Sequence, residues 1–562
     1  MNHAAKRSLR PAHFGRAFWF ILLLAASLTF AFQAPAAWFG PQPLAVAPKW
    51  GRFEQSFKSS VTYANPLEET TLTVTFTSPL GETFKAYGFW DGGKVWRVRF
   101  SPNFPGKWKF HTVCSDTTNA GLHNISGEFT CTAPIGQSRF DHHGPVRVAR
   151  DHHHFEHQDH TPFFWLADAA GEGATQSTPE EWTYYAQVRS NESFSVCQWI
   201  AVPYGTNNQP AAIGNDGHLQ INLEIFRKLD AKVETLNRAG LLDAVTPFPE
   251  SLANKTNSLD ALPEEQTIAL LRYLVARWGA DNVVWMLNCS DGKVGRWIRI
   301  GRAVFGGISH APVVINPGEA YWALEGFRAE PWVDALGYQS GQEVTDDAAQ
   351  WMNAGPVTKD WNREPARPFI NLAPPCENQP VGSTPTDPHS VRRAAYWSVL
   401  NTSAAGINYG GYGVWNWDMT VENRSAAPGS KNLRAWQLAL LLPGAKQMGT
   451  LADAFTSIDF SRLRPAPELL AQQPGASSPL HYVAAARTEA GDLAVIYVPE
   501  NIPVELNVKE LPPSPTATWI CPHDGQRVTA PATLHGQTIK FVAPKGCRDW
   551  LLLLQSTPKT SK

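Results

Sequence analysis

Between residues 163 and 447 the sequence repeats one alternation eight times, a short apolar run followed by a longer, mostly helix-like stretch. The runs lie at 163–169, 193–202, 241–248, 282–287, 312–316, 333–338, 368–372 and 406–415, and amphipathic stretches between them include 179–189, 223–239, 264–278, 296–305 and 390–402. Short apolar strands joined by helical crossovers form parallel sheets covered on both faces. Eight such units over about 285 residues predict a closed (β/α)8 barrel. The alternative is an open doubly wound sheet, which carries a Gly-rich phosphate turn after its first strand. Here the first run leads into Asp168-Ala169-Ala170-Gly171-Glu172-Gly173, without that fingerprint. Thr178 and Pro179 supply a cap and a first-turn proline for the helix that follows.

The flanks have a different period. Thr71-Leu72-Thr73-Val74-Thr75-Phe76 and Val95-Trp96-Arg97-Val98-Arg99-Phe100 alternate residue by residue, with Asp91-Gly92-Gly93 as a turn between such runs. Residues 45–134 therefore read as an N-terminal β-sandwich. Asp492-Leu493-Ala494-Val495-Ile496-Tyr497-Val498 and Asp549-Trp550-Leu551-Leu552-Leu553-Leu554 mark buried strands in a second sandwich over 455–556. The barrel module occupies 145–447 between them. Its entry carries His152, His153, His154, His157 and His160 among Asp151, Glu156 and Asp159. Adjacent side chains on a strand point to opposite faces, so this tract reads as an exposed polar hairpin rather than a metal site, and no metal or cofactor is expected.

The first 36 residues have the form of a secretory signal peptide. Lys6, Arg7, Arg10 and Arg16 precede an apolar run over 18–32, and Ala34-Pro35-Ala36 offers a cleavage site before Ala37. Export to a secreted or periplasmic location permits disulfides. Of the seven cysteines, Cys114 with Cys131 and Cys521 with Cys547 are the expected local pairs. Cys197, Cys289 and Cys376 lie near barrel strand ends, as buried or disulfide-bonded residues. The formal net charge of -2 gives no attraction for nucleic acid. The 22 Trp suit either large cores or stacking on sugar rings.

In a barrel, chemistry collects at the C-terminal strand ends. The carboxylates there are Asp168, Glu172, Glu250, Asp291, Glu319, Glu377 and Asp418. Glycosidic cleavage normally uses two carboxyl groups. Asp291 after the fourth strand and Glu377 after the seventh face each other across a barrel mouth, and are the candidate catalytic pair.

The segment Asn371-Leu372-Ala373-Pro374-Pro375-Cys376-Glu377-Asn378 closely resembles the seventh-strand motif of the apiosidase-like glycoside hydrolases, Asn-Leu-Glu-Pro-Pro-Tyr-Glu-Asn. Phe163-Phe164-Trp165-Leu166-Ala167-Asp168 resembles that family's first strand. Leu336-Gly337-Tyr338-Gln339-Ser340-Gly341 resembles its sixth, and Tyr409-Gly410-Gly411-Tyr412-Gly413-Val414-Trp415-Asn416-Trp417-Asp418 its eighth. The resemblance extends to the Ig-like domain ahead of the barrel and the accessory domain behind it. It implies a glycoside hydrolase acting on plant-type polysaccharide side chains, with carbohydrate as its partner. Asp291 would be the acid/base. Asp168, Trp165, Trp199, Gln339, Tyr409, Trp415, Trp417 and Asp418 would bind substrate. Three departures fall at the site: Asn288-Cys289-Ser290-Asp291-Gly292-Lys293 stands where the family has a Gly-Gly-Asp or Gly-Asp-Gly type turn, so that either Asp291, displaced by one residue, or Ser290 occupies the aspartate's place; Ala373 replaces the motif's first glutamate, the nucleophile position; and Cys376 replaces its tyrosine. Glu377 is then expected as a relocated nucleophile or base. The competing expectation is a carbohydrate-binding pseudoenzyme.

Overall fold

The computed structural model describes residues 45–202, 212, 219–248, 262–289, 293–318, 324–382, 384–418 and 435–556. The expected signal peptide lies outside them. The first strands, Ala45–Pro48 through Ser126–Thr132, form one seven-stranded sheet. Leu72, Val74 and Phe76 point inward and the intervening threonines outward, as the alternation predicts. The sheet rolls so that Phe53, on an edge strand, stacks on Phe129 near the opposite edge at 3.9 Å between ring centroids. Sandwich-like packing thus comes from one curled sheet rather than two separate ones.

The expected Cys114–Cys131 pair does not form. Cys131 lies opposite Gly106, at the start of the strand Gly106–Cys114, whereas Cys114 ends that strand and lies opposite Leu72. Eight residues of extended chain, roughly 27 Å, separate the two positions. Both thiols are free and buried.

The barrel strands are β1 (Trp165–Gly171), β2 (Val196–Ile200), β3 (Leu242–Thr246), β4 (Val283–Asn288), β5 (Val313–Asn316), β6 (Ala335–Tyr338), β7 (Phe369–Asn371) and β8 (Gly406–Tyr409). They close as a parallel barrel, β8 pairing with β1 from Trp165 opposite Gly406 to Asp168 opposite Tyr409. The helices that concern the site and interfaces are α1 (Pro179–Asn191), α2 (Leu223–Arg238), α3 (Glu264–Trp278), α4 (Val294–Phe305), α5 (Pro388–Leu400) and α6 (Pro443–Thr456). Thr178 caps α1 in a reciprocal box with Glu181, and Asp387 caps α5 through the Ser390 N–H at 2.8 Å.

Pleat parity sorts the strand residues. Trp165, Ala167, Val196, Ala244, Val284, Met286, Val314 and Ile370 fill the barrel interior. Leu166, Cys197, Trp199, Val245, Trp285 and Leu336 belong to the outer core between strands and helices. The histidine-rich tract folds as a three-stranded sheet, Val146–Val148, Phe155–His157 and Pro162–Phe163. The hairpin is not simply exposed: Phe155, Glu156 and His157 are buried, and the Phe155 ring packs 5.5 Å from Trp165 in the interior cluster. Apolar Phe155 and Phe163 draw their polar neighbours into the interface.

Behind the barrel, a six-stranded and a three-stranded sheet enclose a core containing Ile496, Val498, Trp519, Trp550 and Leu552. The strand Leu493–Val498 is buried at every residue. Its even-numbered side chains enter this core and its odd-numbered ones pack on the barrel side, which explains the unbroken apolar run. Cys521 and Cys547 form the expected disulfide. Buried ion pairs tie both flanks to the barrel. Arg99 of the first sheet reaches Asp230 of α2 at 2.9 Å, and Arg277 of α3 shares that carboxylate at 2.8 Å. Arg392 of α5 reaches Asp549 at 3.1 Å, and the Tyr497 hydroxyl donates to the same group at 2.9 Å.

Candidate active site

At the C-terminal ends of the strands lies a cavity of about 500 Å³. Inward positions near the strand ends build its floor: Gln198 and Ile200 on β2, Thr246 on β3, Asn288 on β4 and Asn316 on β5. Gln339, just past β6, continues the series, while Gln342, Gln379 and Asn416 enter from loops. The carboxamides are joined. Gln339 Nε2 donates to Asn316 Oδ1 (3.0 Å), Asn316 Nδ2 to Asn288 Oδ1 (2.7 Å), and Asn288 Nδ2 to the Phe248 carbonyl (2.9 Å). Gln342 Oε1 accepts the Cys376 N–H at 2.8 Å, which holds the turn after β7. One layer lower, Asn408 donates through Nδ2 to Gln198 Oε1 (2.6 Å) and accepts through Oδ1 from Trp165 Nε1 (2.8 Å).

Trp415 is the large aromatic of the wall, 37% exposed. Its backbone passes so close to Gly171 (φ 38°) that a Cβ there would collide with the Trp415 carbonyl. The Glu172 N–H also donates to that carbonyl at 2.9 Å. The glycine therefore lets the loop after β8 lie against the end of β1.

The residues singled out from the sequence divide sharply. Gln339 and Trp415 face the cavity, and Tyr409 borders it. Asp291 lies outside the described residues, as do Glu250 and Glu319. Glu377 is absent from the cavity wall and only 2% exposed. The chain at 377 pairs with Gly411, and its carboxylate turns away to accept the Tyr409 hydroxyl at 2.6 Å and the Gly444 N–H at 3.0 Å. Gly444 lies in the first turn of α6, so the charge sits at a helix N-terminus. A Cβ on Gly444 would strike that carboxylate. Burial, and then the charge of Glu377, hold the Tyr409 phenol well above its usual pKa, so it remains a donor. A relocated nucleophile at Glu377 does not fit this arrangement.

Asp168 is also not a wall residue. It occupies an outward position on β1, fully buried, and accepts from Arg189 Nε at 2.7 Å and the Tyr185 hydroxyl at 2.8 Å. Trp199, outward on β2, donates to Asp243 at 2.7 Å and packs edge-on against Trp278. Trp165 faces inward but in a lower layer, where it positions Asn408. Trp417 stacks on Trp436 at 4.1 Å, packed also against Trp182 and Tyr185. Asp418 is half-buried and outside the wall; its carbonyl accepts the Trp436 N–H at 2.7 Å. The polar floor was missed by reading for acids and tryptophans, although part of its signal is regular: Thr246, Asn288 and Asn316 each end their strand on an inward position.

Ala373 and Cys376 line the cavity, and Cys376 is half-buried. Among the described residues, no aspartate or glutamate does so. The one three-residue grouping of potential metal ligands among them is Cys521, Asp524 and Cys547, whose two thiols are joined as the disulfide.

A closed parallel barrel, flanked by sheet domains and open at the strand C-termini into a polar cavity, defines a glycoside-hydrolase-type barrel. A Bacteroides vulgatus glycoside hydrolase of family 5 superposes with a TM-score of 0.65 at 19% identity, over 76% of this chain and 96% of its own. A second structure, named simply as a glycoside hydrolase, gives 0.65 at 20% identity, over 76% and 99%. Another from Bacteroides vulgatus, described as a "putative glycoside hydrolase", gives 0.65 at 16% identity and spans 91% of this chain and all of its own. The chain belongs to the apiosidase-like family, whose catalytic-domain model matches residues 149–462. A domain of unknown function (DUF5060) matches 46–115, and a "Putative collagen-binding domain of a collagenase" matches 465–555. No curated protein matches the sequence.

Proposed function

We propose that the barrel mouth binds a polysaccharide side chain of the plant type and cleaves a glycosidic bond there, and that the chain is exported after cleavage before Ala37. The observation that carries this reading is the cavity itself. It combines an accessible Trp415 face for a sugar ring with preoriented amides for its hydroxyls, at the barrel end where such enzymes react. Since Glu377 is committed to Tyr409 and α6, the two carboxyl groups must come from loops bordering the floor. Asp291 follows Asn288 by three residues and is assigned as the acid. Glu250 and Glu319, beyond β3 and β5, are the candidates for the partner.

A second reading, binding without cleavage, is favoured by one observation: Ala373 stands on the wall where the resembling motif has its nucleophile, and no described wall residue replaces it. One screen separates the two. Hemicellulosic and pectic oligosaccharides are offered to wild type and to the Asp291→Asn, Glu250→Gln, Glu319→Gln and Glu377→Gln variants. Turnover that vanishes with Asp291→Asn but survives Glu377→Gln is the expected result. Binding without turnover selects the second reading, and turnover unaffected by Asp291→Asn removes Asp291 from the mechanism.

A further inference from the structure

We propose that the saccharide unit seated in the cavity is uncharged, and that the Asn288–Asn316–Gln339 relay is what discriminates against a uronic acid there. The inference rests on the carbohydrate reading above and narrows it. Two features of the wall carry it. The first is its composition: among the described residues lining the cavity there is no Lys, Arg, His, Asp or Glu. A carboxylate entering this space loses water and meets no cation among these described residues, whereas a hydroxyl, both donor and acceptor, finds amides that are also both.

The second feature is that the amides of the relay, together with Gln342, are not free to turn. The Phe248 carbonyl can only accept, so Asn288 must present Nδ2 to it and Oδ1 to Asn316. That orients Asn316 in turn, whose Oδ1 takes the Gln339 donor. On the far side the Cys376 N–H can only donate, which fixes Oε1 of Gln342. Rotating these groups to direct their N–H bonds at an anion would break every link in the relay. The described charges near the wall give no help. Arg189 is engaged by Asp168 and Glu192 on the outer face, and Glu377 lies behind Tyr409, where its own sign repels an anion.

Matched ligands test this directly: galacto- against galacturono-oligosaccharides, and gluco- against glucurono-oligosaccharides, measured by calorimetry on the full mature chain. Each pair differs only in oxidation at C6. At least one neutral member is expected to bind, with its uronate on the order of a hundredfold weaker or worse. The neutral affinity is expected to be insensitive to added salt. Gln379→Arg, which places a cation at the rim, should narrow the gap by about tenfold or more. A uronate bound as tightly as its neutral partner, with affinity falling as salt rises, overturns the inference and leaves the carbohydrate reading intact. Binding of neither member of any pair overturns both.

Discussion

Removing the Glu377 charge tests whether that residue holds the structure or does chemistry. Among the described residues its carboxylate accepts from the Tyr409 hydroxyl at 2.6 Å and the Gly444 N–H at 3.0 Å, and it is almost wholly buried. Bonds to an ionised group contribute about 1.5–3 kcal/mol each, so losing these two in Glu377→Ala should cost about 3–6 kcal/mol. Glu377→Gln keeps the shape and one acceptor. It loses the charge at the start of α6 and turns an amide toward one of the two donors, for a cost of about 1–2 kcal/mol. Tyr409→Phe removes one of the same bonds, so the double variant should cost less than the two singles together, with a coupling of about 1 kcal/mol. Urea unfolding followed by tryptophan fluorescence measures these differences, and glycan binding on the same preparations supplies the functional arm. The expected pattern is lower stability with binding preserved in the folded fraction. A Glu377→Gln protein as stable as wild type, yet unable to bind or turn over any glycoside, would refute the structural role.

Burial pushes the Asp281 carboxyl up to about 6 from an ordinary 3.8, despite Arg52 at 3.1 Å. The protonated form is therefore favoured in the folded state. Its contribution is complete below pH 3.8 and is lost as pH rises through 6, so Asp281→Asn should be more stable than wild type at pH 8 by about 1–3 kcal/mol and should remove part of the decline across that window in a pH series of denaturant melts. The Cys521–Cys547 bridge spans 26 residues, and replacing both cysteines with alanine should cost about 3.5 kcal/mol by loop entropy, while thiol labelling of the unfolded, unreduced chain should find Cys114 and Cys131 free. Trp417→Ala should destabilise by about 3–5 kcal/mol as a core deletion, whereas Trp415→Ala should leave the melt nearly unchanged and weaken glycan binding by about tenfold.

The apolar runs placed all eight barrel strands, because a parallel strand buried on both faces has no polar interruptions. What they left open was phase. Asp168, Trp199 and Tyr409 stand one residue away from Ala167, Gln198 and Asn408, and that single step separates the helix-facing side from the interior. Part of the inward set is recoverable by aligning Thr246, Asn288 and Asn316 as successive final residues, a pattern that motif matching passes over because none of the three is a catalytic acid. Glu377 was misplaced for a different reason. Its side chain is aimed by the pairing of residue 377 with Gly411 and by a helix that begins at Pro443, and no local pattern announces either contact. The Cys114–Cys131 expectation failed because proximity in sequence says nothing of position along a hairpin; register decides it.

The shared carboxylates at the module boundaries bear on how such a protein can be rebuilt. A segment cut at 149 and 462 keeps Asp230, Arg277 and Arg392 but discards Arg99 and Asp549. The Arg392 guanidinium would then keep Gln447 but lose its carboxylate, the barrel face that Val495 and Tyr497 cover would meet water, and the α2–α3 pair would lose one of its cations. Baring that apolar seam forfeits its burial, about 25 cal/mol for each Å² returned to water, against the small margin that holds a typical domain folded. The catalytic segment is thus a unit of sequence comparison without being a unit of transplantation. Any chimera that borrows this mouth must also borrow the seams on either side of it.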